Sequence, residues 1–292
     1  MLLNQRSLFS SLDELKNSQQ LLEYLVNLTD AENGIRTFSS FSPAIYDTAW
    51  LSTVHRTSTD GKIDWLFPQC WQYILATQTE SGSWSSYSSH IDGILNTAAS
   101  LLALLIRAVQ DPASRVDYVK GQTLQNRIER AKEGLQKLLD VWNVAESVHV
   151  GFEVLVPRLL DQISAFDMHF SFPGQRHLQR LYEKKMKKFK PSLLYSSKQC
   201  TLLHSLEGFV GYEGFDFEKV RHHCRERTGM MGSPAATAAY LMQVKEWDPA
   251  AEVYLRRVVQ QYWNAVPSAF PTEIFEFSWV CIPSVLRMVT ED

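Results

Sequence analysis

HIDGILNTAASLLALLIRAVQ, residues 90–110, decides the fold class. Ile91, Ile94, Leu95, Ala98, Leu101, Leu102, Leu105 and Ile106 recur at helical spacing and mark one broad apolar face. A similar stripe runs through Leu124, Ile128, Ala131, Leu135, Leu138 and Leu139. Further along the chain, Ser233-Pro234 and Asp248-Pro249 read as helix starts. In each, a capping side chain precedes a proline at the position where a missing N–H costs nothing. Sustained alternation of apolar and polar residues is scarce. HVGFEVLV (149–156) would suit a strand on propensity, but Pro157 and its helical neighbours predict helix.

The connections are short and carry glycine or proline, around Gly61, Gly82, Gly174, Gly211 to Gly214 and Gly229 to Gly232. About ten helices joined this way predict an all-α fold of packed antiparallel helix pairs, with an α/α barrel left open. No period of solenoid length repeats. The best boundary is the polar turn TSTDG (57–61).

Hydrophobic residues at 45% and charged residues at 21% give the balance of a folded globular chain with a sizeable core. A net charge of −3 supplies no global positive field, so nucleic acid is not an expected partner. The stretch from Ala98 to Val109 is interrupted by Ser100 and Arg107 and is too short to span a bilayer. Cys70, Cys200, Cys224 and Cys281 are scattered without a CxxC pair, which argues for reduced thiols in a cytoplasmic protein and against zinc.

Several segments invite a chemical reading. In SPAIYDTAW (42–50), Asp47 fits a surface or capping carboxylate better than a catalytic one. QTESGSW (78–84) suits a helix end and the turn after it: the glycine permits a left-handed residue, the tryptophan packs, and the glutamine amide pairs with exposed backbone. The run EKKMKKFK (183–190) reads first as a solvated face, with attraction of a diphosphate as the sharper alternative. His204, among apolar residues in TLLHSLEGF, reads as a satisfied core histidine or as a group that orients a water or accepts a proton. His222 and His223 are adjacent, about 100 degrees apart on a helix, and cannot readily share a metal. No nucleophile elbow, P-loop or dinucleotide fingerprint is present, nor any Asp-Asp or Asp-x-Asp. The aspartate-rich magnesium motif of class I terpene synthases is therefore missing from these residues.

SPAIYDTAW, QTESGSW with IDGILNTAASLLAL (78–104), VGFEVLVPRLL (150–160), TLLHSLEGFVG (201–211), MMGSPAATAAYLM (230–242) and VPSAFPTEIFEFSWV (266–280) occur in the order found in class II diterpene cyclases. Together they make the chain resemble fungal and plant copalyl diphosphate synthases and bifunctional kaurene synthases. The resemblance implies a terpene cyclase γ domain of α/α-barrel type over residues 59–285. Residues 1–58 would carry the first helix of an incomplete β domain, and 286–292 would begin its remainder.

The implied substrate is geranylgeranyl diphosphate. A protonated terminal alkene triggers its bicyclisation to copalyl diphosphate, and the diphosphate is retained. The family's acid is the middle aspartate of an Asp-x-Asp-Asp motif, expected downstream of residue 292, so the chain alone is expected to be inactive. The resemblance also implies that His204 and Ser268 stand where the family keeps a water-holding His–Asn pair, with serine replacing asparagine here. It puts diphosphate-contacting lysine in the region of Lys185 and Lys188. It calls for no cofactor or metal in this stretch and leaves magnesium open for the intact family enzyme. Partners would be the missing β domain or another chain. The alternative is a non-catalytic helical module that binds a partner or a prenyl diphosphate. A fragment of the cyclase is expected to expose an apolar surface around Tyr46 and Trp50.

Overall fold

The computed structural model describes residues 41–111, 122–273, 275 and 276. One compact unit spans Ser42–Ala269; Phe41 and the residues from Phe270 onward belong to a second. Among the described residues of that second unit, Phe41 and Phe275 meet edge to face with ring centroids 6.0 Å apart. The rest of the fold concerns the first unit.

The chain is mostly helical, as the periodicity predicts. In order, it runs β1 (Pro43–Ala44), α1 (Ile45–Ser52), β2 (His55–Thr57), β3 (Ile63–Trp65), α2 (Pro68–Thr77), α3 (His90–Gln110), α4 (Leu124–Asp140), α5 (Phe152–Ser164), α6 (Gln175–Lys188) and α7 (Ser192–Tyr195). Two 3-10 segments, Thr201–Phe209 and Phe217–His223, precede α8 (Pro234–Gln243), α9 (Pro249–Tyr262) and β4 (Val266–Pro267). The short strands form two antiparallel ladders, β2 with β3 and β1 with β4. The second ladder pairs Pro43 with Pro267 and Ala44 with Val266, bringing together the two ends of the unit.

α3 is the core. It packs against α1, α4 and α5, and its face is buried from Ile91 through Ala108 almost without interruption. At 21 residues it is long and apolar enough to cross a membrane, although the apolar run read from the sequence was shorter. Its burial among other helices makes it a core helix. Arg107, which interrupts that run, is also buried. Its guanidinium lies 3.6 Å from the centre of the Trp65 ring and 4.6 Å from that of Trp71, so two aromatic faces offset part of its desolvation. Burial still pulls its pKa down to about 10.

QTESGSW works as its residue types predict. Gln78 donates through Nε2 to the carbonyls of Gly82 and Arg127, each at 3.0 Å, tying the end of α2 to α4. Gly82 sits at φ +86°, and a Cβ there would lie 2.0 Å from the Arg130 carbonyl oxygen, so glycine is required by conformation and by space. Trp84, 1% exposed, donates its indole N–H to Ile74 O at 3.0 Å.

Ser233 and Asp248 cap α8 and α9, accepting from Ala236 N at 3.1 Å and Ala250 N at 3.0 Å. HVGFEVLV departs from its expected helix. The helix starts at Phe152, because Gly151 is left-handed at φ +96° and residues 147–150 ahead of it are not helical.

Candidate functional site

α6 is the basic element. It presents Lys184, Lys185, Lys187 and Lys188, buries Leu178 on the protein side, and packs on α5. Lys184, Lys185 and Lys188 line a cleft of about 500 Å³, together with His149 and His177, over an apolar floor that includes Val144, Phe152 and Leu181. The structure thus brings the two lysines of the diphosphate expectation to one concavity.

They are not equivalent. Lys185 Nζ lies 2.6 Å from Glu153 Oε1, while Glu153 Oε2 accepts from Gly151 N at 3.0 Å. Glu153 therefore pins both the turn before α5 and the lysine. Burial pushes its carboxyl up, but the Lys185 bond and two backbone N–H groups outweigh this and hold it below its ordinary value. Lys184, Lys187 and Lys188 have no ion-pair partner among the described residues.

His149, at the cleft rim, spans Asp92 (Nε2 to Oδ1, 3.2 Å) and Ser89 (Nδ1 to Oγ, 3.4 Å), linking the loop before α5 to the start of α3. Asp92 is held low despite partial burial, because Ser88 and Ser89 donate three hydrogen bonds to its Oδ2.

His204 lies elsewhere, in the 3-10 segment Thr201–Phe209, partly buried. Its Nδ1 is 3.1 Å from Met231 O. A carbonyl only accepts, so Nδ1 carries the proton, and in that tautomer Nε2 is the acceptor. Ser268 is exposed just past β4. No hydrogen bond joins it to His204 among the described residues, and neither side chain lines the lysine cleft. No group of three or more His, Cys, Asp or Glu side chains converges as a ligand set among the described residues.

Tyr46, Asp47 and Glu207 are the functional-looking residues that sequence reading passed over or placed at the surface. Asp47 is 5% exposed and accepts from Ala235 N, the first N–H of α8 because Pro234 has none, at 3.2 Å. It does cap a helix, but a distant one, and from the interior. Glu207 is 4% exposed and accepts from Tyr46 Oη at 3.3 Å through Oε1, while its Oε2 is buried without a partner. Burial is the main cause that pushes Asp47 up to about 7 and Glu207 to about 8, and Asp47 raises Glu207 further. Trp50, expected at an exposed apolar surface, is buried, and Tyr46 beside it is partly buried, because α1 packs against α2, α3 and α8. The one signal for Glu207 was an acid inside the apolar run LHSLEGF.

No family model matches the sequence. Over 248 residues the chain is 46% identical to the copalyl diphosphate synthase of Talaromyces verruculosus, covering 84% of this chain and 25% of that protein. It is 44% identical over 272 residues to a pimaradiene synthase of Emericella nidulans, covering 92% and 26%. It is 37% identical over 281 residues to the ent-kaur-16-ene synthase of Phaeosphaeria sp., covering 94% and 29%. The chain thus spans about a quarter of the length of the curated relatives it matches.

Among solved structures, ent-copalyl diphosphate synthase from Arabidopsis thaliana, in complex with an aza-dihydrogeranylgeranyl thiolodiphosphate, superposes with a TM-score of 0.67 at 25% identity. That match covers 91% of this chain and 35% of the other. Abietadiene synthase from Abies grandis, at 23% identity, shares the fold with a TM-score of 0.68 over 91% and 32%. The ordered motifs, the identity to the fungal enzymes and the shared helical fold agree: over most of its length the chain is homologous to part of the class II diterpene cyclases, the copalyl diphosphate and kaurene synthases.

Proposed function

We propose that this chain supplies the γ-domain wall of a class II diterpene cyclase acting on geranylgeranyl diphosphate. Residues 59–285 would be that domain, 1–58 would carry the first β-domain helix, and 286–292 would enter the rest of β. The observation that carries the reading is the gathering of Lys184, Lys185 and Lys188 with two histidines over an apolar floor, in a chain of this family.

A prenyl diphosphate combines a polyanion with an apolar tail, and a cationic rim above apolar side chains suits both parts. Lys188, with no ion-pair partner among the described residues, would take most of the diphosphate charge, and Lys185 would share it with Glu153. The water-holding role belongs to His204 through its bare Nε2, with Ser268 as the second member expected from the family pattern.

Protonating an alkene needs a carboxylic acid kept protonated in a dry cleft. Residues 1–292 contain no Asp-x-Asp-Asp, and an imidazolium is too weak an acid for the task. The chain by itself therefore binds without turning over, and the copalyl diphosphate chemistry belongs to a polypeptide that also carries the acid. The free thiols of Cys70, Cys200 and Cys224 support a cytoplasmic location.

The test is incubation of the purified chain with geranylgeranyl diphosphate, followed by calorimetry and mass spectrometry. Binding without a bicyclic product is expected. Formation of copalyl diphosphate would overturn the missing-acid reading, and absence of any binding would overturn the substrate assignment.

A further inference from the structure

Four hydrogen-bonded contacts connect Tyr46, Asp47, Glu207 and His204 into a closed circuit through three elements. His204 Nδ1 donates to Met231 O. Met231 sits at φ +52° in the turn that enters α8, and Ser233 N closes that turn onto Met230 O at 3.0 Å. Two residues on, Ala235 N donates to Asp47 Oδ1. Asp47 is the chain neighbour of Tyr46, whose hydroxyl donates to Glu207. Glu207 stands three residues after His204, across the kink at Ser205, where φ is −131° and ψ is 40°.

We propose that Tyr46, Asp47 and Glu207 are positioning residues for His204: α1 grips the histidine's own segment through Glu207 and the turn that holds its ring through Asp47, fixing the Nδ1–H tautomer. The inference rests on the reading in which His204 acts through Nε2, and it adds to that reading how the nitrogen is kept bare.

Two acids in an apolar interior are a poor way to obtain stability, because well-packed apolar groups of similar size do as well. Their arrangement instead gives direction. The Glu207 carboxyl accepts one hydrogen bond, and its Oε2 has no partner among the described residues, an arrangement that disfavours the ionised form. Asp47 lies within electrostatic reach of Tyr46, Tyr87 and Tyr254, none of which brings a positive charge to it. No cation faces this cluster among the described residues, so neutrality and hydrogen bonding, rather than ion pairing, hold it together.

The experiment reads the histidine ring nitrogens by NMR in the full chain, without substrate. Wild type and Glu207→Gln, which keeps an acceptor for Tyr46, are expected to show His204 as the Nδ1–H tautomer. Tyr46→Phe and Glu207→Leu each remove one side of the contact. Each should raise the Nε2–H population about fivefold, the weight of one ordinary hydrogen bond. Tyr46→Phe deletes a single oxygen and decides the matter if Glu207→Leu does not fold. An unchanged tautomer in folded Tyr46→Phe overturns the proposal. No ligand is present, so the result stands apart from any failure of the cyclase reading.

Discussion

The Asp47–Glu207 interior and the α6 surface carry ionisable groups of opposite sign in opposite environments. The two carboxyls lie among helices with few donors, and burial moves them up to about 7 and about 8. The lysines of α6 stand in solvent, and one of them, Lys185, is tied to a carboxylate. Position, more than residue type, decides whether an ionisable group holds a fold together or is left available to a ligand. Inside, burial pushes these two carboxyls toward the neutral form, and their value is geometric. Outside, a group remains charged, and its value is a field that salt screens.

The comparison breaks hardest if an obligate charge enters the interior. Glu207→Lys should cost ~3–5 kcal/mol in urea denaturation, the penalty of an uncompensated buried charge. A loss below ~1 kcal/mol would mean that water already reaches the site.

The next effect is on pH dependence. Both acids have folded pKa values above their unfolded ones, so between about pH 4 and about pH 8 the native state binds more protons than the unfolded state. Stability contributed by these protonated groups is fully present below the unfolded values and is lost as pH rises through the folded ones. Denaturation midpoints should therefore fall from pH 5 to pH 8. Glu207→Gln, which cannot ionise, should flatten the decline and exceed wild type at pH 8. A wild-type profile that rises over this range would show that the acids are ionised in the fold.

On the surface, Lys188→Ala should weaken inorganic pyrophosphate binding about five- to tenfold by calorimetry at low salt. Stability should remain within ~0.5 kcal/mol. Equal losses from Lys187→Ala, outside the cleft lining, would reduce the site to a diffuse field. The smallest effect is expected from Glu153→Gln. It frees Lys185 and should tighten pyrophosphate binding about twofold, unless Glu153 is needed to keep the lysine in place, in which case binding weakens.

Much of the fold was legible before any coordinates. The stripe of residues 90–110, the two cap-plus-proline starts and the QTESGSW turn follow from local rules, and each appears with the partners those rules require. The start of α5 was not legible, because a left-handed Gly151 interrupts a run whose apolar pattern continues across it. Lys185 and Lys188 could be nominated from the charge run, but their cleft depends on the loop around His149 and on α5. Tyr46 and Glu207, 161 positions apart, carry no local sign that they touch.

The amino-acid sequence determined on its own the helical class, the capped helix starts, the tight turns and the family, because these rest on periodicity, on single-residue backbone preferences and on ordered motifs. Tertiary structure alone decided that Asp47 and Glu207 are buried acids, that His204 holds its proton on Nδ1 and that Glu153 claims Lys185. Burial, and contact between residues distant in the chain, are properties of packing, and no local window of residues contains them.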